Sequence, residues 1–152
     1  MILLLPDALL ALEEEQRRKI ASVLVLVAAA DGTLVREEMA AIEAAMGAMM
    51  LHPESREEVR QLLTEPPELV SILEGMDQAA IRLALRDGAI VASVDGEYDD
   101  AELEILQKIA TAGGLSKPKM SKILSWVSKN WKNAAEGRNI IATPIPGDEN
   151  IL

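Results

Sequence analysis

AAADGTLVREEMAAIEAAM, residues 28–46, decides how this chain is read, because it returns as ASVDGEYDDAELEILQKIA at residues 92–110. In register, Asp31 falls on Asp95, Gly32 on Gly96, Leu34 on Tyr98, Glu38 on Glu102 and Ile42 on Leu106. The common skeleton is D-G-x-(apolar)-x-x-x-E, set between two apolar helical runs. A repeat of this length makes one supersecondary unit the building block. The expected architecture is a single compact all-α domain of about seven helices, built from two pseudo-symmetric helix–loop–helix halves.

Composition points the same way. About 49% of residues are apolar, yet Phe is absent and Tyr occurs once. Ala, Leu, Ile, Val and Met among Glu, Lys, Arg and Gln form a helix-forming alphabet, short of the aromatics that strands favour. Cysteine is absent, which excludes disulfides, thiolate metal sites and thiol catalysis. A single His argues against a His-based zinc site.

The net charge of −10 disfavours a nucleic-acid partner, whose phosphates are bound by Lys and Arg. The charge is polarised: residues 116–138 hold six Lys/Arg against one Glu, leaving about −15 for the rest. The apolar run Ile20–Ala30 is too short to span a bilayer. The start, MILLLPDALLALEEE, has no cationic lead and does not read as a signal peptide, so a cytoplasmic protein is expected.

Along the chain, residues 1–13 read as an apolar lead and a short helix capped by Asp7. The first half occupies about 14–75. A helix to about Ala30 carries Ile20, Val23, Leu24 and Val27 on one face and Val25 and Leu26 on the other, so its second part is buried all round. Asp31-Gly32 ends it. Helices then follow at about Arg36–Met50, with Met39, Ile42, Met46 and Met49 as core, from Pro53 to Leu63, and over 68–74. The second half, about 76–136, repeats the plan. Asp77 caps a helix to Val94, in which Gly88 marks a close approach by a neighbour. Asp99 caps the next helix. Ser116 opens the last one, with Met120, Ile123, Leu124, Val127 and Trp131 inward. Residues 137–152 have Pro and Gly without periodicity and read as a tail, loose or laid over the body by its isoleucines.

The repeated skeleton matches the second half of an EF-hand loop, but Val27 and Ala29, and Val91 and Ser93, stand where its first oxygen ligands belong. Neither copy is a calcium loop alone. Two readings remain open. Asp99-x-x-Glu102 is an Asp form of a capping box, Glu38 holds the matching position, and local capping explains the acids. Alternatively the two corners meet and pool Asp31, Glu38, Asp95, Asp99 and Glu102. Their all-oxygen donor set suits Ca²⁺, Mg²⁺ or Mn²⁺, or an acidic docking face for a basic partner.

ADGTLVREE and VDGEYDDAE, each after an apolar helix, resemble the tellurite-resistance TerB family of bacteria and the related helical domain of membrane-anchored DnaJ-like co-chaperones. The resemblance covers roughly residues 14–134, and Val35 departs from it where a polar cap is usual. It implies a compact helical fold of about seven helices and a role in tellurite and other stress resistance within membrane-associated complexes. The family's acidic positions fall on Asp31, Glu38, Asp95 and Glu102. It implies no enzymatic activity.

No catalytic constellation stands out. His52, before Pro53, reads as a surface residue. A carboxylate-based nucleotide hydrolase needs paired E-x-x-E and E-x-x-D helices, and Asp99-x-x-Glu102 is already explained by capping. For partner contact the candidates are Trp126, off the inward stripe, with Lys122 and Lys129 beside it. The expected function is a non-enzymatic binding module with protein partners, cytoplasmic and peripheral to the inner membrane, working through an acidic cluster that takes a divalent cation. The alternative is a metal-free interaction domain docking through its acidic face or basic last helix.

Overall fold

A computed structural model describes residues 7–94 and 98–152. Among them are eight α-helices and no strand: α1 (Glu14–Ala28), α2 (Arg36–Ala48), α3 (Pro53–Gln61), α4 (Leu69–Leu73), α5 (Gln78–Ala92), α6 (Asp100–Ala112), α7 (Lys117–Ile140) and α8 (Asp148–Ile151). A single 3-10 turn, Ala8–Ala11, precedes them, with the Asp7 carboxylate accepting from the Ala8 amide.

The repeat runs deeper than the two acidic corners. α1 and α5 begin and end at equivalent residues, as do α2 and α6, and α3 and α7 begin at equivalent residues. Packing obeys the same relation. α1 and α5 form the most extensive helix pair; α1 also packs on α2, α3 and α6, and α5 on α6, α7 and α2. Such reciprocity is what a two-fold relation between halves produces.

The central pair carries the core. Every residue from Ile20 to Ala28 is buried, as the all-round apolar pattern of that segment requires. Gly88 lies where α1 and α6 converge: a Cβ there would stand 3.3 Å from Val27 Cγ2 and 3.4 Å from Leu106 Cδ2. The close approach offsets the helix propensity that Gly forgoes, about 1 kcal/mol relative to Ala. Ile42 and Met46 of α2 and Met49 at its C-cap are buried, while Met39 is turned outward and 45% exposed.

Several boundaries differ from expectation. α2 closes at Ala48 and α5 at Ala92, each with a further turn beyond. Asp77 stands at the N-cap of α5, but its side chain caps nothing; its amide donates to Gln16 Oε1 at 2.8 Å. The last helix does not stop at Gly137. It continues to Ile140, and the segment beyond turns back through α8 to α7. The isoleucines do not hold it there, since Ile140 and Ile141 are exposed. The clasp is ionic: Arg138 Nε lies 2.9 Å and Nη2 2.6 Å from the two oxygens of buried Asp148. No helix among the described residues is long and apolar enough to cross a membrane.

Candidate functional site

The first corner is built by the end of α1. Gly32, at φ 78°, takes the left-handed conformation that closes the turn, and its amide donates to Ala29 O at 3.0 Å. Asp31 Oδ1 accepts from the Thr33 amide at 2.9 Å, an Asx turn that aims the carboxylate out of the corner. The chain then extends to Val35, the N-cap of α2, whose amide donates to Glu38 Oε2 at 3.1 Å.

At the second corner the described chain resumes at Tyr98. Asp99 and Glu102 close a full capping box: the Asp99 amide donates to Glu102 Oε2 at 3.1 Å, and the Glu102 amide to Asp99 Oδ1 at 2.7 Å. Val35 has no acceptor, so α2 keeps only half of this arrangement. In both copies the box glutamate is buried, each 1% exposed.

The halves bring acids together crosswise. Carboxylate oxygens of Asp31, from the first corner, and of Asp99 and Glu102, from the second, all lie within 4.8 Å of one another. Of the five acids the sequence offered as ligands, these three converge. Among the described residues Glu38 is not part of this group; its Oε2 accepts from the Val35 amide at the start of α2. Asp95 falls outside the described residues.

Three negative charges at this spacing repel. Two unit charges 4 Å apart cost about 4 kcal/mol at an effective dielectric of about 20. Asp31 and Asp99 each give one oxygen to a backbone amide, and a carboxylate has two. Ca²⁺ binds oxygens at about 2.3–2.6 Å, so two of its ligands can stand up to about 5 Å apart across the ion. The three oxygens lie within 4.8 Å of one another, near enough to close on one hard divalent ion.

A brace the sequence did not disclose holds the second corner. Tyr98 Oη donates to Ala89 O at 3.1 Å. Burial pushes its phenol up to about 12; the Glu102 charge adds to this and a hydrogen bond with Ser93 opposes it. Ser93 Oγ donates to Ile90 O at 2.8 Å and accepts from Trp131 Nε1 at 2.8 Å. The hydroxyl that stands at a ligand position of an EF-hand loop therefore ties α5 to α7. The signal was present in the chain as Tyr98 and Ser93 flanking the second D-G, where the first copy has Leu34 and Ala29.

The partner-contact candidates separate. Lys122 and Lys129 are exposed on α7, whereas Trp126 is half-buried against the core and its carbonyl accepts from Asn130 Nδ2 at 2.9 Å. Comparison with protein-family models, with curated proteins and with solved structures returns no match to this chain.

Proposed function

We propose that this chain is a non-enzymatic binding module of the TerB-like kind, serving a bacterial tellurite- and stress-resistance system, with a divalent cation held at the corner of Asp31, Asp99 and Glu102. The observation that carries the reading is the convergence of these carboxylates from two different halves. Capping accounts for Asp99 and Glu102 within α6; it gives no reason for Asp31 to arrive beside them. The all-oxygen donor set suits Ca²⁺, Mg²⁺ or Mn²⁺. The module would work on the cytoplasmic side with membrane-associated resistance proteins as partners.

A second reading keeps the fold and drops the ion: docking through the acidic corner or through α7. The exposure of Lys122 and Lys129, with no carboxylate among the described residues in an ion pair with either, favours α7 as the surface. Thermal unfolding in EDTA, then in millimolar Ca²⁺, Mn²⁺, Mg²⁺ or Zn²⁺, decides between them. A ligand at about 100 times its dissociation constant adds about 2.7 kcal/mol to the native state. A rise in Tm with Ca²⁺, Mn²⁺ or Mg²⁺ that EDTA reverses supports the cation; melts that coincide in all ions leave the docking reading alone.

A further inference from the structure

Next to the acidic corner, α4 and α6 enclose an open groove of about 830 Å³. Its apolar lining is Leu69, Val70 and Leu73 of α4, Ile81 of α5, and Ala101 and Ile105 of α6. Val70 is 64% exposed, so the α4 wall presents an apolar side chain to the open groove. The charged residues along the groove are Glu68, Glu74, Glu104 and Lys108. Lys108 Nζ lies 3.3 Å from Glu104, so the margins keep an excess of negative charge. Gln107, Thr111 and Ala112 line the far part of α6, and Ala30 and Ala101 join the groove, through the chain, to Asp31 and Glu102.

The α4 wall is anchored. Gln16 Nε2 and Lys19 Nζ both donate to Gly75 O, at 3.1 and 2.9 Å, just past its end. A ligand meets a preformed trough between two helices, apolar along its length and acidic at its edges. Small-molecule sites add convergent polar groups for orientation, whereas a trough of this kind matches recognition of an amphipathic helix.

We propose that this groove takes one amphipathic, basic helix from a protein partner. Aliphatic side chains at i, i+3 or i+4, and i+7 enter between Val70, Leu73 and Ile105, and flanking Lys or Arg residues meet Glu68 and Glu74. Charge selects this occupant: outside residues 116–138 the chain carries about −15, which draws in a cationic helix and repels an acidic one. The inference does not rest on the cation, and testing it in EDTA keeps the two apart.

The probe is a fluorescein-labelled, amidated peptide of Leu and Lys, about 18 residues long, with its leucines on one helical face. Its control has the same composition with the leucines dispersed. Fluorescence anisotropy on the full chain should show the facial peptide binding at least about ten-fold more tightly than the dispersed one. Thr111→Trp, which fills the groove from an exposed lining position, and Val70→Asn should each remove most of that difference while circular dichroism stays native. Glu68→Lys with Glu74→Lys should weaken binding and flatten its salt dependence. Equal affinity for both peptides, no binding, or unchanged binding by Thr111→Trp overturns the proposal. So does sedimentation showing a dimer that Thr111→Trp abolishes, which assigns the groove to a second copy.

Discussion

Met50 and Gly114 are equivalent residues of the two halves, and both take the left-handed conformation, at φ 53° and 71°. Each follows the C-terminus of the helix that carries a capping glutamate, and each precedes the same closing bond: Leu51 N to Met46 O, and Leu115 N to Ala110 O. Glycine pays no Cβ penalty there, while methionine is strained by about 1–2 kcal/mol. The Met50 side chain is 67% exposed and gives little packing in return. Met50→Gly should therefore raise stability by about 0.5–1 kcal/mol after the entropy of glycine in the unfolded chain is deducted. Urea unfolding at constant m-value measures it, and a loss of stability would refute the strain argument.

Val35 and Asp99 make a similar unequal pair. Both are N-caps with extended backbone, and both receive the reaching glutamate, yet only Asp99 returns a bond to the third amide. Val35→Thr keeps the branched shape and supplies a hydroxyl to the Glu38 amide. A cap of this kind is worth about 1 kcal/mol, so α2 should gain roughly that, seen as slower exchange of the amides in its first turn. Unaltered exchange there would mean that the half-buried hydroxyl loses as much on leaving water as it gains.

The acids of the corner predict a graded pattern. Asp31→Asn should abolish the Ca²⁺-dependent rise in Tm with little change in EDTA, because an Asn oxygen still forms the Asx turn. Asp99→Asn should lose the same response, with the cap largely kept. Glu38→Gln is the control, since Glu38 is outside the converging group, and its cation response should match the unmodified chain. If Glu38→Gln suppresses the response as strongly as Asp31→Asn, the site is not the one described.

Much of this organisation was legible because the signals were periodic. Val25 and Leu26, filling the polar side of α1, announced burial all round, and an interior Gly88 announced a close neighbour. The acids were legible as candidates but not as a set. Membership depends on which corner faces which, and only tertiary packing puts Asp31 against the Asp99–Glu102 box. Nor did any local pattern mark the groove, whose walls are drawn from α4 and α6 and meet only on folding. What fastens the tail was hidden for a related reason: one Arg–Asp pair bridging a Pro- and Gly-containing segment has no period to detect.

That clasp should be sensitive to acid. The bidentate Arg138 guanidinium, helped by the Ile145 amide, holds Asp148 down to about 2, against an ordinary value of 3.8. A carboxyl depressed in the folded state favours that state above its unfolded pKa and loses this contribution as pH falls through its folded value. The clasp is therefore at full strength above about pH 4 and should release progressively toward about pH 2. Asp87 has the opposite sign, since burial raises it despite the Arg86 pairing, but it acts on α5 and leaves the tail untouched. Heteronuclear NOEs of residues 141–152 separate the two: their values should fall through that window ahead of those in α1. Asp148→Asn should show the released values already at pH 6, and Arg138→Lys, which keeps the charge but loses the fork, an intermediate set. Tail signals in Asp148→Asn as rigid as those of the unmodified chain would show that something other than this ion pair fastens α8.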